Sequence, residues 1–68
     1  MNKLKELIYS HKKPKNWREG QFVFNIASEI LGDGIIKQVQ FNDGIDCFYD
    51  DSKINNFINA CYNKLNKN

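Results

Sequence analysis

This sequence is poor in the residues that build metal sites and in the runs that build membrane spans. Its 68 residues include two cysteines and one histidine, and the spacing of Cys47, Cys61 and His11 makes no recognisable zinc site. No apolar run approaches the roughly 20 residues that a bilayer-spanning helix needs. The charged stretch from Met1 to Lys5 is not followed by the apolar segment of a secretory leader. We therefore expect a cytoplasmic protein with reduced thiols, no cofactor and no membrane contact.

The chain also lacks a strong charge of either sign. Its formal net charge of +2 is too weak to imply a polyanionic partner. Hydrophobic residues make up 41% of the chain and aromatic residues 13%, which is enough for a folded protein rather than a disordered one. We expect a single domain over residues 1–68 with a small core, present as a monomer or a small homo-oligomer.

Apolar periodicity predicts three main helices, of which the first and the third are the simplest. The first covers residues 2–12 and ends before Pro14, because the residue preceding a proline avoids helical backbone. Its apolar stripe consists of Leu4, Leu7, Ile8 and His11. The third begins at Asp50–Ser52, where acidic groups suit the positive end of the helix dipole. Its stripe consists of Ile54, Phe57, Ile58, Cys61, Tyr62 and Leu65.

The second helix is predicted from a capping box, in which Asn16 caps the first turn and Glu19 reaches back to it. Gly32 ends the helix as a left-handed C-cap. Gly20 lowers helix propensity by roughly 1 kcal/mol relative to alanine. Its presence therefore indicates the close approach of another backbone, that of segment 42–50. The apolar face consists of Gly20, Val23, Phe24, Ala27, Ile30 and Leu31, and Phe22 and Ile26 widen it.

Residues 35–49 allow two interpretations. The turn-like Asn42-Asp43-Gly44 is typical of a β-hairpin, which would lie at about 36–49. The alternative is a short helix over residues 33–38, capped by Asp33, followed by an ordered irregular loop. We favour the loop, because strand alternation breaks at Lys37 and at Asp46. The predicted fold is thus a small all-α, three-helix domain with an ordered irregular connection between helices 2 and 3, and the alternative is an α+β fold.

Two short motifs, residues 18–25 and 46–51, alternate aromatic and polar side chains. If the first is helical, Arg18, Gln21 and Asn25 share one face at i, i+3, i+7 spacing. Polar groups among large apolar ones need partners, and the second motif supplies carboxylates and backbone groups. We therefore predict a structural clamp in which Arg18 pairs with Asp46 and both amides bond to the loop backbone. Phe48 and Tyr49 would anchor the loop in the core.

The acidic residues do not indicate catalysis. The carboxylate cluster consists of Asp43, Asp46, Asp50 and Asp51. Carboxylates suit Mg²⁺, but the spacing does not match an EF-hand, and Asp50 and Asp51 are better explained as helix caps. No nucleophile–base pair and no phosphate-binding glycine loop is visible in the sequence. We predict a protein that is not an enzyme and has no metal site.

Two groups of residues are candidates for binding. Cations and aromatic rings between residues 9 and 18 suit phosphates and stacked bases, although the interpretation that we favour for this segment is a solvated loop with Trp17 packed inward. The candidate nucleic-acid-binding residues are Tyr9, Lys12, Lys13, Lys15, Trp17 and Arg18. A protein-binding surface would instead need an exposed apolar patch. The candidates for such a patch, which lie off the main stripe of helix 2, are Trp17, Phe22 and Ile26, although we favour core burial for Phe22.

The two motifs together read Arg-x-Gly-Gln-x-x-Phe-Asn and Asp-x-Phe-Tyr-x-Asp. In this chain they fall on Arg18, Gly20, Gln21, Phe24, Asn25, Asp46, Phe48, Tyr49 and Asp51, with Phe57 in the following helix. This combination resembles a family of small phage- and prophage-borne bacterial proteins of unassigned function. Many relatives carry proline where this chain has Cys47, which argues against a thiol function. The resemblance implies a compact, mainly helical domain in a phage or prophage setting.

These observations lead to two functional hypotheses. The first is a small non-enzymatic binding protein, a phage or prophage accessory that engages an unidentified host protein or counters host defence. It would act by blocking a host effector or by sequestering a small nucleotide signal. The alternative is a weak nucleic-acid-binding module that uses the basic and aromatic cluster at residues 9–18.

Overall fold

The computed structural model describes residues 3–66, and in that range the fold is all-α, as predicted. Four α-helices rather than three are present: α1 (Lys3–Tyr9), α2 (Glu19–Leu31), α3 (Asp33–Lys37) and α4 (Ile54–Asn66). A π-helical turn, Gln38–Asn42, continues α3, and a 3₁₀ turn, Asp51–Lys53, leads into α4. Residues 3–66 contain no strand, so the hairpin alternative at about 36–49 is wrong.

Helix α1 is shorter than the predicted segment, whose residue 2 lies outside the described part of the chain. After Tyr9 the α-helical bonding gives way to a tighter turn, in which the His11 amide donates to the Ile8 carbonyl three residues back and the Ser10 hydroxyl donates to the Leu7 carbonyl at 2.6 Å. His11 therefore follows the helix and is exposed. Only two members of the predicted stripe, Leu4 and Ile8, are buried.

The N-cap of helix α2 lies two residues later than predicted. Arg18 occupies the N-cap position with no side-chain cap bond, so the Asn16–Glu19 capping box is wrong. The Gly20 amide instead donates to Asp51 Oδ1 at 3.0 Å, which places an acidic side chain from a distant part of the chain at the positive end of the helix. The predicted stop is confirmed, since Gly32 adopts φ +86° and its amide donates to the Ser28 carbonyl.

The connection between α2 and α4 contains the predicted short helix and then irregular backbone. Asp33 is the first residue of α3 rather than its cap. In the π-helical turn the Asp43 amide donates to the Gln38 carbonyl, and Gly44, at φ +69°, reverses the chain. The Ile45 amide then donates to the Val39 carbonyl at 3.1 Å, which holds the chain after the turn against the turn itself.

The core lies between α1, α2, α4 and the segment formed by α3 and its π-helical turn. Its fully buried side chains include Phe22, Val23, Val39, Phe57 and Ile58. The remaining buried hydrophobic residues are Leu4, Ile8, Ile26, Ala27, Ile36, Cys47, Ile54 and Cys61. Four residues of the stripe predicted for α4 are therefore confirmed as core, whereas Leu65 is largely exposed. No helix within residues 3–66 has the length and apolar character needed to cross a bilayer.

Candidate protein-binding loop

The loop at residues 46–50 lies between the π-helical turn and the 3₁₀ turn, and it contacts α2 at Gly20. A Cβ atom on Gly20 would overlap the Cys47 carbonyl oxygen and lie 2.6 Å from Asp51 Oδ1. The Cys47 thiol in turn donates to the Gly20 carbonyl at 3.3 Å. The prediction that Gly20 marks a close approach by the 42–50 backbone is therefore confirmed. We refer to residues 46–50 as the Tyr49 loop.

Aspartate side chains fold the Tyr49 loop locally. Asp46 Oδ1 accepts from the Phe48 amide at 2.8 Å, and Asp46 Oδ2 accepts from Gln40 Nε2 at 2.7 Å. Asp50 Oδ1 accepts from the amide and the hydroxyl of Ser52, and these bonds lower the pKa of Asp50. The Asp50 amide also donates to the Cys47 carbonyl at 3.3 Å. Both ends of the loop are thus held by hydrogen bonds rather than by apolar packing alone.

Arg18 ties the loop to the start of α2, but through other partners than predicted. Its Nη1 lies 3.4 Å from Asp51 Oδ1, and its Nη2 donates to the Phe48 carbonyl. The predicted pairing with Asp46 is therefore wrong, because that carboxylate is already occupied by Gln40 and by the Phe48 amide. Asp51 serves both Arg18 and the Gly20 amide, so it replaces Asp46 as the acidic partner of α2.

Gln21 and Asn25, the other two predicted members of the clamp, do not share this role. Both are half-buried, and within residues 3–66 neither side chain makes a hydrogen bond to the loop. Of the three polar residues predicted on one face of α2, only Arg18 reaches the Tyr49 loop. The close packing of Gly20 against Cys47 takes the place of the two predicted amide contacts.

Four aromatic rings form a continuous series from the core to the surface. Phe57 stacks on Phe24 with ring centroids 5.4 Å apart, and Phe24 meets Phe48 edge-on at 5.5 Å. Phe48 then contacts Tyr49 at 4.8 Å. Phe57 is fully buried, whereas Tyr49 is 83% exposed. Phe48 is half-buried and contacts Phe24, but the prediction that Tyr49 anchors the loop in the core is wrong, because the turn from Cys47 to Asp50 directs Tyr49 outward.

The apolar patch predicted on α2 is not exposed. Phe22 and Ile26 are 2% and 8% exposed, and half-buried Trp17 packs against the core. Tyr9 covers part of Phe22, with ring centroids 6.1 Å apart. The prediction that these three residues form an exposed patch is therefore wrong, whereas the core burial favoured for Phe22 is confirmed. Tyr49 and Phe41, which is 72% exposed, are the most exposed aromatic side chains within residues 3–66.

Four of the six predicted nucleic-acid-binding residues are engaged inside the molecule, and one of them is Trp17, which packs against the core. The Tyr9 hydroxyl donates to Glu19 Oε2 at 3.0 Å, and burial together with this carboxylate raises the pKa of Tyr9 to about 12. Lys13 Nζ donates to the carbonyls of Trp17 and Pro14 at 2.8 and 3.3 Å. Arg18 is held as described above. Lys12 and Lys15 remain exposed, so the segment presents fewer available cations than its composition indicates.

The two cysteines are buried free thiols. Burial, and for Cys47 also the neighbouring Asp46 carboxylate, raises the pKa of each thiol to about 12. Both thiols are therefore protonated at neutral pH, when a thiol is a poor nucleophile. Residues 3–66 contain no group of three or more histidine, cysteine, aspartate or glutamate side chains arranged to hold a metal ion.

Comparison of the chain with protein-family models, curated proteins and solved structures found no match. The assignment of function therefore depends on the geometry of this chain and on the motif resemblance described above.

The contacts of Arg18 and Asn25 predict different effects on stability. We expect Arg18→Ala to lower the free energy of unfolding by about 1 kcal/mol, because it removes a bond to the Phe48 carbonyl and a half-exposed ion pair. We expect Asn25→Ala to change the free energy of unfolding by less than about 0.5 kcal/mol, because the Asn25 side chain makes no hydrogen bond within residues 3–66. Urea denaturation of both variants, followed by circular dichroism, checks this. A larger loss for Asn25→Ala would restore the clamp of three residues.

Proposed function

We propose that this protein is a non-enzymatic protein-binding module that contacts its partner through the Tyr49 loop. The observation that carries the proposal is the Tyr49 side chain, which is 83% exposed although it stands at the end of the aromatic series that begins at Phe57. Such exposure leaves most of a large ring in water on a face of the molecule where three other rings are packed. A partner that covered Tyr49 would extend the series and remove that ring from water.

The structure of the loop suits this role energetically. Tyrosine is enriched among the residues that dominate binding energy, since it adds a large rigid contact area and a polar end. The backbone bonds of Asp46, the turn from Cys47 to Asp50 and the contact with Arg18 hold the loop in one conformation before binding. A preorganised loop loses less conformational entropy on binding than a flexible one. Most of the favourable free energy of a contact made through Tyr49 therefore contributes to affinity, because little of it is offset by ordering the loop.

The motif resemblance supports a more specific form of the proposal, in which the chain is a phage or prophage accessory and the partner is a host protein. Six residues of the two motifs, namely Arg18, Gly20, Phe24, Phe48, Tyr49 and Asp51, build or present the Tyr49 loop. The motifs thus contain both an exposed tyrosine and the residues that position it, and we expect this combination in a binding loop. Interference with host defence is one function that such binding would serve.

Site-specific photo-crosslinking tests the proposal. We expect p-benzoylphenylalanine at position 49 to give one defined crosslinked species in host cells, whereas the same group at position 56, where Asn56 is exposed on α4, gives none. Against the protein identified in this way, Tyr49→Ala should bind about 30-fold more weakly or worse, which is the loss typical of a central interface residue. The melting temperature should stay within about 2 °C of the original, because so little of the side chain is buried.

Phe41→Ala is the matched control for Tyr49→Ala, because it also removes a highly exposed aromatic ring. It should leave the affinity for the crosslinked partner unchanged. Equal crosslinking at positions 49 and 56, or a loss of affinity in Phe41→Ala but not in Tyr49→Ala, would show that the Tyr49 loop is not the binding surface.

A further inference from the structure

A cleft of about 530 Å³ lies beside the Tyr49 loop, between α1, the start of α2 and the 3₁₀ turn. The Tyr9 ring and Ile54 contribute apolar lining, and Asn55 contributes an amide. Asp51, which also lines the cleft, is two residues beyond Tyr49, so the Cα atoms of these two residues are at most about 7 Å apart. The most exposed aromatic ring within residues 3–66 therefore stands next to a recess of the same molecule.

The ring and the recess match in size and in chemistry. The cleft volume of 530 Å³ is in the range of pockets that hold a bound group, about 300–1,000 Å³. Within residues 3–66 neither the Tyr49 hydroxyl nor the Asn55 side chain makes a hydrogen bond, so each keeps its bonding capacity for the other. Tyr9 offers a second ring for an aromatic contact. The Tyr49 ring of the same molecule is 83% exposed and does not fill the recess.

We propose that two copies of this chain form a two-fold symmetric dimer, in which the Tyr49 ring of each copy enters the cleft of the other. A two-fold interface brings the same surface of both molecules together, so it needs a face that is complementary to itself. A projecting ring beside a recess that fits it is such a face. The inference goes beyond the proposed function, because the dimer needs no host protein.

Charge and size both permit this contact. Lys5 offsets Glu19 in the cleft, and Arg18 is ion-paired with Asp51, so the cleft has no net charge with which to repel a second copy. A standard interface covers about 800 Å² of each partner, which is roughly a sixth of the 4575 Å² surface of this molecule, or about one face of it. A host protein that covers Tyr49 has to displace the second copy, because both contacts use the same ring.

Sedimentation equilibrium at concentrations from about 10 µM to about 1 mM tests for the dimer. We expect the average mass to rise with concentration from 8.0 kDa towards twice that value. Tyr49→Ala should weaken self-association about 100-fold or more, because in a two-fold dimer each substitution removes two identical contacts. Phe41→Ala, which also removes an exposed aromatic ring, should leave self-association unchanged. A mass of 8.0 kDa at every concentration, or equal losses in the two variants, would overturn the proposal.

A variant of the cleft shows whether the ring enters the recess. Asn55→Arg places a long side chain in the cleft and should also prevent dimerisation. Asn56→Arg is the control, since it adds the same charge at the next exposed position of α4, outside the cleft lining, and should dimerise as the original chain does. A mixture of Tyr49→Ala and Asn55→Arg keeps one intact ring and one open cleft. The two variants should therefore bind each other more tightly than either binds itself, and a mixture that stays monomeric would overturn the proposed geometry.

Photo-crosslinking separates the dimer from the proposed function. In the purified protein, p-benzoylphenylalanine at position 49 should give a species of twice the chain mass. A monomeric chain that crosslinks to a host protein in cells would reject the dimer alone. A dimer whose only crosslink in cells is to its own copy would reject the host partner alone.

Discussion

Gly20→Ala should lower the free energy of unfolding by about 3 kcal/mol, at the upper end of what overpacking costs. The added Cβ would overlap the carbonyl oxygen of Cys47, a backbone atom that moves only if the Tyr49 loop moves. Displacing the loop also stretches the bonds from the Gly20 amide to Asp51 and from the Cys47 thiol to the Gly20 carbonyl. A chain of this length has a total stability of roughly 3–10 kcal/mol, so the variant is expected to lose about a third of its stability or more.

Gly34→Ala is the control for this change. Gly34 lies in α3, its backbone angles are ordinary, and a Cβ there would meet no atom within 4 Å. Alanine should therefore leave stability unchanged or raise it by up to about 1 kcal/mol, because glycine is the poorer helix former. Urea denaturation of both variants measures the difference. If Gly20→Ala were as stable as Gly34→Ala, the contact between α2 and Cys47 would not hold the loop.

Local sequence signals predicted the parts of the fold that depend on neighbouring residues. The period of apolar residues in α4, the glycine that ends α2 and the Asp50 cap before the 3₁₀ turn are each set within one or two turns of chain. The role of Gly20 was also predictable, because a glycine inside an apolar helix face is costly unless another backbone lies against it. The class of fold and the meeting of α2 with the Tyr49 loop were thus accessible from the sequence.

The partners within the site were not accessible in the same way. Asp46 and Asp51 are both near the loop and carry the same carboxylate, so sequence alone does not rank them as partners of Arg18. The choice depends on a competition inside the folded loop, in which the Phe48 amide and Gln40 take Asp46. Asp51 then remains for Arg18 and for the first turn of α2. No sequence signal indicated Asp51, because Asn16 and Glu19 matched a capping box that would have satisfied the first turn of α2.

The direction of Tyr49 was missed for a related reason. Phe48 and Tyr49 are adjacent aromatic residues, and composition favours burial of both. In the turn from Cys47 to Asp50, however, Cys47 is fully buried and Phe48 is half-buried against Phe24, whereas Tyr49 is left exposed. The ring left outside is the one to which we assign binding. Exposure of Tyr49 therefore depends on the conformation of the loop, which the composition of the motif does not determine.

Phe57→Ala should have the largest effect of any single substitution that we predict, a loss of about 3–5 kcal/mol in the free energy of unfolding. Phe57 is fully buried and is the innermost ring of the aromatic series, stacked on Phe24. Its removal leaves a cavity under Phe24, on which Phe48 of the Tyr49 loop rests. Because each 1 kcal/mol shifts the melting temperature of a domain of this size by about 4–8 °C, the variant should melt at least about 12 °C below the original chain.

Phe41→Ala makes the same chemical change at a side chain that is 72% exposed, and it should shift stability by less than about 0.5 kcal/mol. Phe57→Leu keeps most of the apolar volume, so we expect it to fold with a loss of about 1 kcal/mol. Calorimetry of the three variants measures these differences, and NMR of the folded leucine variant reports on the loop. We expect its largest shifts at Phe24, Phe48 and Tyr49, because the rings contact one another in that order. Shifts confined to α4 would mean that the exposed tyrosine is positioned independently of the core.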